Sequence, residues 1–264
     1  MRTKITITMT KKIIPFFAVI ALVFSCGDPE SPEQQPDTIK QDTVVVKPPA
    51  GPSRLYGIDI SSYQGEEADI LTKKGDSLTF VICRATLGIT FTDEDFKNNW
   101  TQIAEKGFVR GAYHFYMCND DPKAQAQHYL TTIGTLGAND LPPILDFEEG
   151  GLAGVTDVKS IQNGLLTFLM GVEAHSGKTP IIYVSPDFAN IYLNDPAFAK
   201  YPLYVADYDG ENEPSMPNTW KSGTWTFWQK NDSTKVDGQV NDFDVFNGNR
   251  DALNTVLRPT NALQ

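Results

Sequence analysis

Asp146 and Glu148 stand two residues apart in the stretch Leu141–Glu149, Leu-Pro-Pro-Ile-Leu-Asp-Phe-Glu-Glu. Two neighbouring carboxyls cannot both ionise freely, so one of them holds its proton to higher pH than a lone acid would. A proton donor beside a charged partner is the apparatus that cleavage of a glycosidic bond requires. An Asp-x-Glu can equally be a strand end running into an acidic loop, and the motif alone does not separate the two. The preceding residues favour a strand: Ile144 and Leu145 are apolar and β-prone, and Pro142 and Pro143 suit its start rather than its middle. In an extended chain side chains alternate, so Asp146 and Glu148 share one face and Phe147 takes the other.

Such a pair needs a scaffold that delivers it to a cleft. Short apolar runs fall at 56–60, 80–85, 111–115, 144–147, 180–184, 203–206, 224–229 and 243–246. Several intervening stretches carry helical periodicity. Phe96, Trp100, Ile103 and Ala104 predict one helix, with Thr92 as its N-cap and Gly107 as its stop. Asp121-Pro122 and Ser185-Pro186 each set a capping side chain ahead of a proline at the first helical position. The longest helix is predicted over 156–176, stopped by Gly177. Strands alternating with helices imply the α/β class with a parallel sheet. Eight strands in about 200 residues predict a (β/α) barrel of TIM-like type. The last strands follow one another too closely for full helices, so the second half should be irregular. A doubly wound sheet is the architectural alternative, but no Gly-rich phosphate loop supports it.

Barrels of this kind do chemistry at the strand ends. Those ends offer Asp59, Arg84, Tyr113 with His114, Asp146 with Glu148, Tyr183, Asp207 with Tyr208, Trp228 with Gln229, and Asp242 with Asp244. Each aromatic alone reads first as core, and His114 as a hydrogen-bonded core residue rather than a base. Together the set describes a cleft with an acidic floor and stacking walls, which suits a sugar polymer.

The first 25 residues look like an export signal. Arg2, Lys4, Lys11 and Lys12 precede an apolar run over 13–24, too short to span a bilayer comfortably. The Val23-Phe24-Ser25-Cys26 ending resembles a lipobox, which would make Cys26 the lipidated first residue of the mature chain and its membrane anchor. Residues 26–53 are rich in Pro, Gln, Asp, Glu and Thr and read as a disordered tether, leaving 54–264 for the folded domain. An address on the outer membrane, exposed at the surface or not, is expected from this arrangement.

The chain carries 33 acidic and 22 basic residues, a formal charge of −11. Loss of the leader removes four basic residues and no acidic one, so the mature chain is more acidic still. That argues against nucleic acid as a partner. Cys83 and Cys118 are expected as buried thiols, with room for one disulfide at most. His114, His128 and His175 lack metal-ligand spacing, so no metal site and no cofactor are expected. The domain is expected to be a monomer.

The strand-end blocks resemble a known family. Gly-Ile-Asp-Ile-Ser-Ser-Tyr-Gln at 57–64, Arg-Ala-Thr at 84–86, Gly-Ala-Tyr-His-Phe-Tyr at 111–116, the Asp146–Glu148 strand, Phe-Trp-Gln at 227–229 and Asp-x-Asp-Val-Phe at 242–246 are similar, in order, to glycoside hydrolase family 25. These are the lysozymes, or N-acetylmuramidases, of the Chalaropsis type. The resemblance implies an irregular, flattened (β/α) barrel that cleaves the β-1,4 bond between N-acetylmuramic acid and N-acetylglucosamine in peptidoglycan. It implies Glu148 as general acid, Asp146 as companion carboxylate, Asp59 and Asp242 as further site acids, and Asp244 as the more structural acid of the last strand. Arg84, Tyr113, Tyr183, Tyr208 and Gln229 are the expected sugar contacts. Two positions depart from the family's habit: Leu87 where Glu is often found, and Arg84 where Lys is common. A chitinase-like hydrolase of other N-acetylated glycans and a non-catalytic glycan-binding lipoprotein remain as alternatives on the residues alone.

Overall fold

The computed structural model describes residues 53–62, 78–236 and 239–260, with the backbone alone for 234–236 and 239–241. The leader, Cys26, the tether up to residue 52, and Tyr63 and Gln64 lie outside the described residues. In chain order the elements are β1 (Leu55–Ile60), β2 (Leu78–Leu87), β3 (Phe91–Thr92), α1 (Phe96–Glu105), β4 (Val109–Phe115), α2 (Pro122–Ile133) and β5 (Ile144–Asp146). There follow α3 (Val158–Ser176), β6 (Ile181–Val184), α4 (Pro186–Tyr192), β7 (Leu203–Ala206), β8 (Phe227–Val236), β9 (Gln239–Phe246) and α5 (Arg250–Val256).

Eight of these strands close into a barrel in the order β1-β2-β4-β5-β6-β7-β8-β9, with β9 returning to β1 and β3 folded back on β2 as a short hairpin partner. Neighbours from β1 to β8 run parallel, as the alternating pattern predicts. The last strand does not. β9 is antiparallel to both β8 and β1, because only two residues separate it from β8 and a parallel return needs a crossover of a dozen or more. The second half is irregular as expected: α4 has seven residues, and only a 3-10 turn at Asn218–Trp220 lies between β7 and β8.

Strand alternation divides the core in two. Outward residues such as Ile58, Ile60, Val81, Leu145, Val184 and Val205 pack beneath the helices. Inward residues fill the lumen, with Phe80, Ile144, Ile181, Phe227 and Phe246 stacked above Leu253 and Leu257, which close the end where the parallel strands begin. Gly57 faces this lumen because nothing larger fits: a Cβ there would stand 2.3 Å from the Phe80 ring. Pro142 and Pro143 enter β5 as predicted, and the Pro143 carbonyl accepts from Ile181 N–H. Cys83 and Cys118 are both free thiols.

Three local expectations are corrected. Thr92 does not cap α1. It pairs with Thr86 in the sheet, and Asp95 occupies the cap position. Ala104 is exposed, while Asn99 is the polar residue buried on the helix's inner face. Ser185 precedes Pro186 at the start of α4 without a side-chain capping bond. Asp121 does cap α2, accepting from Ala124 N–H at 2.8 Å.

Candidate active site

β5 is only three residues long and ends at Asp146, but the chain stays extended through Glu148 (φ −130°, ψ 170°). The alternation therefore continues past the last ladder bond. Phe147 is fully buried on the outside, 4.8 Å from the Phe188 ring between centroids. Asp146 and Glu148 face the other way, into a cavity of about 130 Å3 at the end of the barrel where the parallel strands finish. Asp59 from β1, Tyr113 from β4, Tyr183 from β6, Gln229 from β8 and Asp242 from β9 open into the same cavity, joined by Tyr208 just beyond β7. Each of these side chains had been assigned to the site from the strand ends.

Gln229 organises the polar wall. Its Nε2 donates to Asp59 Oδ2 at 2.6 Å, and its Oε1 accepts from the Tyr183 hydroxyl at 2.7 Å and the Tyr208 hydroxyl at 2.6 Å. An amide can satisfy all three only in this orientation, because its nitrogen donates and its oxygen accepts. Asp59 and Asp242 stand opposite each other in the β1–β9 register and hydrogen-bond through their carboxyls.

Beneath them lies a pair given less weight by sequence. The Tyr204 hydroxyl is 2.5 Å from Asp244 Oδ1 and 3.3 Å from Asp59 Oδ2. Tyr204 lines the cavity, together with Ile82 and Ile144, and none of the three had been singled out for it. The signal was present. Leu203 and Val205 are the outward pair of β7, so the residue between them had to point into the lumen.

The electrostatics follow from crowding acids in a poorly hydrated pocket. Burial raises the pKa of Asp146 well above the ordinary carboxylate range, and the charges of Glu148 and Asp59 add to the effect. Burial and the charge of Asp242 do the same to Asp59, against the hydrogen bond from Gln229. Glu148 is raised by burial of its carboxyl against the cavity wall, although its side chain also reaches solvent. Asp244 is raised by burial and by Asp59. Asp146 Oδ1 and Asp244 Oδ2 are buried without a hydrogen-bond partner among the described residues. Asp146 itself lines the cavity.

Two strand-end residues stand apart. Arg84 does not line the cavity. Its Nε bonds Asp93 Oδ2 at 2.8 Å and its Nη2 donates to Ser62 at 3.1 Å, so it acts on Asp146 only through its charge, which lowers that carboxyl's pKa. His114 is fully buried outside the lumen, 4.9 Å from the Phe168 ring. Its Nδ1 accepts from Thr86 at 2.7 Å and its Nε2 donates to Gln125 at 3.1 Å, because that glutamine oxygen also accepts from Met117 N–H and must be an acceptor. Burial pushes its pKa down to about 3, so the ring is neutral.

This arrangement can hold the hydroxyls of a sugar against tyrosine and amide partners while one acid of a pair keeps its proton. Known proteins resemble the chain in sequence and fold. The chain is 33% identical over 206 residues to an Escherichia coli K12 protein, YegX, whose own function is uncharacterized, covering 75% of this chain and 72% of that one. It is 30% identical over 210 residues to Lysozyme M1 of Streptomyces globisporus, covering 76% and 70%. Its fold superposes on the crystal structure of a bacterial lysozyme from Streptomyces coelicolor with a TM-score of 0.69 at 27% identity, covering 78% and 97%. Residues 58–239 match the sequence profile of Glycosyl hydrolases family 25, and the chain belongs to that family.

Proposed function

We propose that this protein is a lysozyme that hydrolyses the β-1,4 bond between N-acetylmuramic acid and N-acetylglucosamine in peptidoglycan. The observation that carries the reading is the convergence of Asp146 and Glu148 on one small cavity whose remaining wall is tyrosine, amide, further acid and two isoleucines. Glu148 gives its proton to the leaving oxygen; its raised pKa and its partial contact with solvent suit an acid that is reprotonated each cycle. The acetamido oxygen of the substrate displaces the leaving sugar from the anomeric carbon in place of an enzyme nucleophile; water, losing a proton to Glu148, then opens the cyclic intermediate from the other face, and configuration is retained. Asp146, in the cavity wall beside Glu148, accepts from the acetamido N–H and holds the amide for that attack. Asp59 and Asp242 bind hydroxyls and favour the positive charge that develops on the sugar ring.

Glu148→Gln is expected to lower kcat by roughly 10²- to 10⁴-fold with the fold intact, and wild-type kcat to fall as pH rises through the Glu148 pKa. A fully active variant would remove the assignment. Release of soluble fragments from peptidoglycan but not chitin separates a muramidase from a chitinase-like enzyme. NMR of the first-formed anomer reads retention directly.

The export and anchoring expectations belong to the same reading. We propose that Cys26 carries a lipid holding a monomeric enzyme to the cell envelope at the outer membrane. Its support is the leader's charge and hydropathy pattern and the residue at its end. Incorporation of a labelled fatty acid should be lost in Cys26→Ser, and protease shaving of intact cells reads the membrane face.

A further inference from the structure

A second concavity, a groove of about 840 Å3, opens from the catalytic cavity and shares Glu148, Tyr183 and Tyr208 with it. Its floor is apolar, built from Leu152 and from Phe188, Ile191 and Tyr192 on α4, and Ile191 is 54% exposed there. Beside Asp207, which accepts from Ser215 N–H, its rim carries Glu149, Asp187 and Asp209, and among the described residues no lysine, arginine or histidine lines it. Among the described residues none of these three carboxylates takes part in an ion pair.

An apolar floor beneath an unneutralised acidic rim fits an aliphatic chain that ends in an ammonium group. The methylenes lie on the floor and the charge reaches the rim. A carboxylate in the same place would meet like charge on every side. Because the groove begins at Glu148, its occupant and the bond being cleaved belong to one substrate molecule. We infer that the groove receives the free side-chain amine of a diamino acid in the stem peptide borne by the muramyl sugar. The inference rests on the muramidase reading above and adds to it a preference among walls, for those whose stem amines are unmodified.

The test uses three forms of one purified wall: with free stem amines, with those amines N-acetylated, and with the peptides removed by an amidase. For the wild type, acetylation should raise KM roughly three- to tenfold and leave kcat unchanged, as expected for loss of exposed charge pairs. The double variant Asp187→Asn/Asp209→Asn changes exposed side chains only. It should treat the free and acetylated walls alike and cleave the stripped glycan at the wild-type rate. Equal wild-type KM on the first two walls would overturn the inference, as would discrimination that persists in the double variant. In either case cleavage of the stripped glycan leaves the muramidase reading standing. If no form is cleaved, that reading fails and the inference with it.

Discussion

Tyr204 has one proton and two carboxyls within reach, Asp244 at 2.5 Å and Asp59 at 3.3 Å. Both contacts are hydrogen bonds at once only if one acid is protonated, and Asp244, buried and without a partner on Oδ2, is the one that gains by being neutral. A buried acid with a raised pKa binds its proton more tightly in the folded than in the unfolded chain. Its stabilisation is complete below the unfolded pKa and is lost as pH rises through the folded one. Asp244→Asn should therefore raise Tm at neutral pH, with the gain vanishing as pH falls to about 4, near the unfolded carboxylate value; calorimetry across that range checks the sign. The site acids were legible in the sequence because each occupies an alternate position beside obvious core residues. Tyr204 is legible as a lumen residue but not as part of the site, because a tyrosine between Leu203 and Val205 reads as core until the lumen is known to hold carboxyls. Arg84 misled for the converse reason: its partners Asp93 and Ser62 come from other segments, and only the fold brings them together.

The elements were more legible than their ends. All eight barrel strands follow from apolar runs, since a strand packed on both faces must be apolar or nearly so along its length. Caps depended on competition. Thr92 was drawn into a pairing with Thr86 that no local rule reveals, and its hydroxyl meets His128 at 2.9 Å instead of an orphan amide of α1. The direction of β9 was misjudged because apolar periodicity carries no polarity; the short connection to β8 decides it. Packing across elements is close where β1 meets β2. Gly57→Ala would drive a methyl into the Phe80 ring, which is itself packed 5.2 Å from Phe227 between centroids. We expect a loss of about 1–3 kcal/mol in stability from such overpacking, measured by denaturant unfolding. Stability equal to the wild type would mean that the lumen can relax there.

For the whole molecule, charge sets the rate of encounter. A formal charge of −11 repels anionic walls at a distance, while the groove beside Glu148 asks for a cation only on arrival. Raising ionic strength from about 0.01 M to about 0.15 M shortens the screening length from ~30 Å to ~8 Å. The kcat/KM on intact anionic walls should then rise severalfold with kcat unchanged, and a falling kcat/KM in a salt titration would count against repulsion as the controlling step. The reversed strand has a spatial corollary. β1 starts, and β9 finishes, at the plugged end of the barrel, where Leu55 and Phe246 pair and Leu253 seals the lumen. An attachment made at Ser53 itself would therefore start from the base of the barrel, at the opposite end from the cavity that Asp146 and Glu148 share.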